Sequence, residues 1–450
     1  MKTIILNFDL NRTVLMSDAA GGRGMVDTLN YLLSEVSWGT VSKETDSWIP
    51  SSESVNLPSS HSPKANLISY KKYVDSKHEY IKEGLHTIPE GYETASAYNK
   101  TQKRKRKNLH GAFTNPSQPG HELKKHLNHL IEKMTMSTTL SKDIVNMQND
   151  LHLGNGLLME TWNKGQHFLL PGFIKLLYYL QQNETIMKHV YICYRTFGND
   201  LEEVSKELDC LCNGCHPLYP HLKLDERFRL KKTFSTFYRR GSQSSDCFFT
   251  YGTLERPNNI TSTDDEVHTF YCALNGGGET KENISGSTSS ATNSASTSST
   301  TTTATTTATT TTSNMHKTTV GFINILKEIR TMVKQEPRMS IGIRDHWDYW
   351  SAHGESDDSG KPLLVDGSNE DIHVFIDDHV EDDHAHIIDV RKANDGSCVP
   401  FNEAINKYMI RAHPYEAITD ENYFIQLLQS ICEREWNMKI KTVEDSSTKK

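Results

Sequence analysis

The chain has 450 residues, with 49 Lys and Arg against 57 Asp and Glu and a formal net charge of −8, so it offers no basic face to nucleic acid or to an anionic membrane. A mean hydropathy of −0.60, with no apolar run near the ~20 residues that cross a bilayer, excludes a chain that threads the membrane through helices. The 8 cysteines, scattered over so long a chain, exclude a disulfide-stapled miniature and fit a reduced compartment.

Taken in order, residues 2–8 read as a strand, because the segment turns polar after Ile4-Ile5-Leu6, too soon for a signal-peptide core. A cytoplasmic protein is therefore expected. Residues 26–36 carry Leu29, Leu32, Leu33 and Val36 at helical spacing. Residues 40–119 read as irregular, rich in Ser, Pro and His. They include the basic run Lys103-Arg104-Lys105-Arg106-Lys107, taken as a solvated loop, with a nuclear import signal or a phosphate-binding patch as the alternatives. Helical periodicity returns over residues 121–149 through Leu123, Leu127, Leu130, Ile131 and Met134.

Residues 171–182 form an amphipathic helix opened by Pro171, followed by a strand at 189–194 and a helix at 199–208. Residues 285–314 are almost entirely Ser, Thr, Ala and Asn; with nothing to bury they are expected to be disordered. A helix at 320–334, strands at 339–344, 372–376 and 385–390, and a helix at 422–436 complete the pattern. Strands alternating with helices predict an α/β fold with a mostly parallel sheet covered on both faces.

In such sheets ligands bind at the carboxyl ends of the strands. The first strand delivers Asp9-Leu10-Asn11-Arg12-Thr13, the second Arg195-Thr196, and a later one Asp377-Asp378, with Lys361 in the loop region before it. Here the chain resembles the haloacid dehalogenase-like superfamily. Its first motif is an apolar strand followed by Asp-x-Asp-x-Thr, matched by Ile4-Ile5-Leu6-Asn7-Phe8-Asp9 and Thr13. The segment Leu170-Pro171-Gly172-Phe173 onward resembles the helix before the second motif, which is matched by Val190 to Thr196. Phe375-Ile376-Asp377-Asp378 resembles the acidic fourth motif.

The resemblance implies a three-layer Rossmann-like core from residues 1–20, 168–210 and 316–440, a cap insertion at 21–167, a second insertion at 211–284 and a flexible tail at 441–450. It implies a Mg²⁺-dependent hydrolase acting on a small phosphorylated substrate, with Asp9 as nucleophile. A carboxylate attacking phosphorus splits one displacement into two. Mg²⁺ held by Asp9, Asp377 and Asp378, with the main-chain carbonyl of Asn11, would overcome the repulsion between carboxylate and phosphate. Thr196 and Lys361 would hold the phosphoryl oxygens, with Thr13 and Arg195 as further substrate-binding residues. Alternatively, Thr196 caps the following helix, and Arg344 or Arg195 replaces Lys361.

Asn11 departs from the pattern, which has an acid–base Asp there. An amide cannot shuttle a proton, and general acid–base help is worth roughly 10²–10⁴ in rate. The rival expectation is a non-catalytic binding or scaffold protein on the same fold. Three lesser motifs remain. Cys210-Leu211-Cys212-Asn213-Gly214-Cys215-His216 lacks the separated ligand pairs of common zinc sites and reads as free thiols. Gly21-Gly22-Arg23-Gly24 is too generic for a phosphate loop. Asp345-His346-Trp347-Asp348-Tyr349-Trp350 reads as a pocket wall, an interface or packing.

Overall fold

The computed structural model describes residues 1–16, 24–55, 66–81, 86–136, 153–230, 234–252, 318–335, 340–367 and 371–437. The Ser/Thr tract at 285–314, the tail at 441–450, Gly21 to Arg23 and residues 137–149 lie outside the described residues.

Eight strands build the central sheet: β1 (Thr3–Asp9), β2 (Val190–Thr196), β3 (Ser235–Arg239), β4 (Cys247–Tyr251), β5 (Thr318–Val320), β6 (Ser340–Asp345), β7 (Asp371–Asp377) and β8 (Met409–Arg411). Their spatial order is β8-β7-β1-β2-β6-β3-β4-β5. Pairing is parallel from β8 through β3, and β4 and β5 close one side as antiparallel strands. The fold is thus mixed α/β around a mostly parallel sheet.

The near-continuous apolar run of β1 is what a parallel strand buried on both faces requires. Ile4, Leu6 and Phe8 pack on one side in a cluster that holds Phe173, Leu177, Leu208 and Phe424. These come from the helices Pro171–Gln182, Leu201–Asn213 and Tyr423–Trp436. Ile5 belongs to the opposite face with Cys193, Ile343 and Ile325 and Ile329 of the helix Phe322–Val333. Helices therefore cover both faces. A smaller parallel pair, Lys361–Val365 with Ile388–Lys392, packs through Leu363 and Val390 against Phe375 of β7.

Several expectations are corrected. Within the expected second insertion, β3 and β4 extend the central sheet, and the helix Leu201–Asn213 runs across the expected boundary at 210; residues 253–284 lie outside the described residues. Residues 40–119 are not merely irregular: Ser37–Val41, Trp48–Val55 and Ile68–Ser69 make a three-stranded antiparallel sheet, and Tyr70–Lys77 and Ala95–Gly111 are helices. Aromatic packing supplies the core that the Ser- and Pro-rich sequence conceals: Tyr70 stacks on Phe113 at 4.6 Å and meets Trp48 at 5.2 Å. The basic run 103–107 is not a loop but the middle of the helix Ala95–Gly111. Arg106 lies 4.0 Å over the Tyr80 ring and donates to the His78 carbonyl. Among the described residues no helix is long and apolar enough to cross a membrane.

Candidate active site

β1 and β7 are adjacent, parallel and in register, with Phe8 opposite Ile376. Their terminal aspartates, Asp9 and Asp377, therefore emerge side by side at the carboxyl rim. β2 lies on the other side of β1 with Arg195 opposite Asp9, which brings Thr196 to the same rim. Carboxylate oxygens of Asp9, Asp377 and Asp378 lie within 4.8 Å of one another, and all three residues are buried. Among the described residues they are the one grouping of His, Cys, Asp and Glu able to share a cation.

Lys361 completes the cluster. It is the first residue of a strand rather than part of a loop, which corrects the sequence expectation. Its backbone N–H donates to the Ile387 carbonyl at 2.6 Å. A Cβ at Gly360 would collide with that same carbonyl, so glycine is needed for the strand to start there. The ammonium touches the Asp9 carboxylate and donates to Asp377 Oδ2 at 2.8 Å. It sits 5.3 Å from the Phe197 ring and 5.7 Å from that of Phe375.

The turn after β1 is held by the Leu10 carbonyl, which accepts N–H bonds from Thr13, Val14 and Leu15. It passes through Arg12 at φ +62°, a left-handed conformation disfavoured for a side chain of this kind. Arg12 is secured on both sides of its guanidinium, by Asp378 Oδ2 at 3.3 Å and the Tyr31 ring at 4.8 Å. Sequence reasoning passed over Arg12, since only the chain reversal turns it toward the acidic loop.

The acids differ in how they hold their charge. Burial would raise Asp377, but Lys361 and the His379 N–H outweigh it and keep its carboxyl below the usual range. Burial pushes Asp9 well above that range; Lys361 opposes the shift and the charges of Asp377 and Asp378 reinforce it. Burial also raises Asp378 to about 7, with Arg12 opposing and Asp377 reinforcing. For Lys361, burial works against the charge, yet Asp377 and Asp9 raise its ammonium above the ordinary value. Three buried carboxylates facing two cations, Lys361 and Arg12, leave the pocket short of positive charge. An all-oxygen acidic donor set of this kind suits a hard divalent cation.

No protein-family model, curated protein or solved structure matches this chain. The roles of its residues rest on its own geometry.

Other residues named from the sequence have different places. Thr13 is fully buried, and its hydroxyl accepts the Asp378 N–H at 3.2 Å. It braces the acidic loop. Arg195 is also held by protein partners. Its guanidinium is buried against Asp345, donates to the Pro362 carbonyl at 3.1 Å and lies 5.0 Å over Phe375. It fastens the Lys361 strand to the sheet from beneath.

Thr196 is buried at the rim; its hydroxyl accepts the Gly198 N–H at 2.9 Å and lies 3.4 Å from Asp200 Oδ2. The Asn11 amide donates to Asp200 Oδ2 at 2.9 Å. Arg344 donates to the Gly198 carbonyl at 3.2 Å. Tyr349 and Trp350 are buried, and Trp350 stacks on Phe197 at 5.2 Å.

The helix Tyr70–Lys77 also reaches the acidic loop. Lys71 of the helix Tyr70–Lys77 pairs with Glu381, four residues after Asp377. Cys210, Cys212 and Cys215 are free thiols. Burial pushes Cys212 up to about 12, and its Sγ donates to the Asp225 carbonyl. His216 is paired with Glu207 at 2.9 Å.

Proposed function

We propose that this chain is a Mg²⁺-dependent phosphoryl-transfer enzyme of the haloacid dehalogenase-like type, which hydrolyses a small phosphorylated substrate through an aspartyl-phosphate on Asp9. The observation that carries the reading is the meeting of Asp9, Asp377, Asp378 and Lys361 at one rim of a parallel sheet. The carboxylates fit a hard divalent cation; Asp9, Asp377 and Asp378 would hold Mg²⁺, which would supply the positive charge that lets a carboxylate approach a phosphate.

Asp9 acts as the nucleophile: an oxygen of its carboxylate bonds to phosphorus as the bond to the leaving oxygen breaks, and water then releases phosphate and regenerates the carboxylate. Lys361, already against Asp9, stabilises charge on the transferring group. Arg12 and Thr13 hold Asp378 in place. Arg195 keeps Lys361 at the height of Asp9, and Thr196 stands at the end of the neighbouring strand.

The test is to incubate the protein with Mg²⁺ and an acyl or aryl phosphate and to examine the Asp9 peptide by mass spectrometry. A phosphorylated Asp9, absent in Asp9→Asn, is expected together with released phosphate. Folded protein that neither becomes phosphorylated nor binds beryllium fluoride refutes the reading. Asn11, an amide at the acid–base position, favours a second reading in which the site binds a phosphoryl group without turnover; beryllium fluoride binding with no phosphate release would establish it.

A further inference from the structure

The net charge of −8 predicts no basic face, yet the structure builds one on the helix Ala95–Gly111. That helix carries Lys100, Lys103, Arg104, Lys105, Arg106 and Lys107 and no Asp or Glu, and no acid occurs anywhere from Thr94 to His121. Lys100, Lys103, Arg104 and Lys107 fall at i, i+3, i+4 and i+7, the spacing that gathers four side chains into one stripe. The stripe is turned away from Ala95, Gln102 and His110, which are buried. Lys100, Lys103 and Arg104 are exposed and Lys107 is half-buried. Positions with this spacing ordinarily hold the apolar residues that meet a partner; here they hold charge.

Neutralisation within the chain does not account for the stripe. Arg106 turns aside to the Tyr80 ring at 4.0 Å and to Asp75 at 3.4 Å, and Lys103 pairs with Glu355 at 2.6 Å. Lys100, Arg104 and Lys105 make no ion pair among the described residues. The helix dipole does not account for it either. It favours cations in the last turn, whose basic residue is the buried His110. Like charges three and four positions apart repel, a local cost that an anionic partner removes.

We propose that this stripe docks an acidic helix of another protein, with Asp or Glu at the matching i, i+3, i+4 and i+7 positions. None of the four residues belongs to the acidic cluster, so the proposal is independent of the phosphoryl-transfer reading. The surroundings select this partner. Among the described residues, none of the exposed large apolar side chains lies on this helix, so the stripe has no apolar neighbour on it to enter a bilayer. Tyr98, its one Phe, Tyr or Trp, meets Tyr92 edge-on at 5.1 Å, which leaves no free ring for a nucleic-acid base to stack on. The acidic remainder of the chain repels a long polyanion and tolerates a short one. From Lys100 to Lys107 the helix rises about 10 Å, roughly two turns, which is the repeat of the acidic partner.

The experiment follows a fluorescein-labelled Glu/Ala helix of about 15 residues, with Glu at the matching spacing, by fluorescence anisotropy on the full chain. Wild type, Arg104→Glu and Lys105→Glu are compared, with thermal melts of each. The two variants reverse the same charge at adjacent positions, but Lys105 stands about 100° round the helix from Arg104 and off the stripe. Wild type should bind at low salt with saturation in the micromolar range, and release the peptide near about 1 M salt, where the Debye length is about 3 Å. Arg104→Glu should weaken binding at least about tenfold and Lys105→Glu less than about threefold, with unchanged melts. Equal weakening by the two variants overturns the proposal. So does a scrambled peptide of the same composition that binds as well, or wild type that binds no peptide at low salt. Tighter binding of a single-stranded oligonucleotide or of phosphatidylserine vesicles than of the peptide assigns the stripe to a different partner and also overturns it.

Discussion

Replacing Lys361 with Met removes a buried cation that two carboxylates share while keeping an unbranched chain of similar length. Lys361 is 3% exposed and contacts both Asp9 and Asp377. Breaking a buried ion pair from one side costs about 3–5 kcal/mol, and the shared geometry argues for the upper part of that range. Against a total stability of about 5–15 kcal/mol, the loss is large and measurable by urea denaturation. The pH dependence has a definite sign. Without the ammonium, burial at Asp9 and Asp377 is opposed by less positive charge, so their carboxyls hold protons more tightly folded than unfolded. Stability from such groups is present at low pH and lost as pH rises through the folded value. The deficit should be widest near pH 8 and narrow toward about pH 5, and Mg²⁺ should reduce it at the higher pH. A deficit below about 1 kcal/mol near pH 8, or one that grows on acidification, refutes the electrostatic account. A deficit indifferent to Mg²⁺ refutes the cation site.

Three other outcomes are expected. Burial lowers His373 from its ordinary 6.5 to about 4; its neutral form therefore contributes about 3 kcal/mol above pH 6.5 that is lost as pH falls toward 4, and His373→Phe should flatten the acid limb of the stability profile. Arg195→Met leaves Asp345 buried without its guanidinium partner and should cost about 3–5 kcal/mol, and adding Asp345→Leu should restore most of it; a double variant no better than the single one contradicts the assignment. A Cβ at Gly39 would run into the Ile49 carbonyl and lie 2.6 Å from the Trp48 ring, so Gly39→Ala should lower stability by about 1–3 kcal/mol, read by denaturation.

The residues of the candidate site were more legible in the sequence than their arrangement. Asp9, Lys361, Asp377 and Asp378 could each be named as strand-end or loop residues. Lys361 and Asp9 are nonetheless 352 positions apart, and only the pairing of β1 with β7, together with the small strand at Lys361, brings them into contact. Thr13 and Arg195 illustrate the limit. A hydroxyl and a guanidinium near a strand end read as ligands for phosphate, yet the first braces Asp378 and the second is held by Asp345.

The sequence by itself determined the elements whose burial pattern is carried by neighbours in the chain. These include the apolar run of β1, the Pro-opened helix at 171–182 and the alternation that makes a parallel sheet, because periodicity records which face meets the core. Tertiary structure alone decided the strands and helices between residues 37 and 111, the joining of β3 and β4 to the central sheet, and the partners of every buried charge. Those depend on contacts between distant segments. A carboxylate or a guanidinium has the same local signature whether solvent, a cation or an opposite charge lies in front of it.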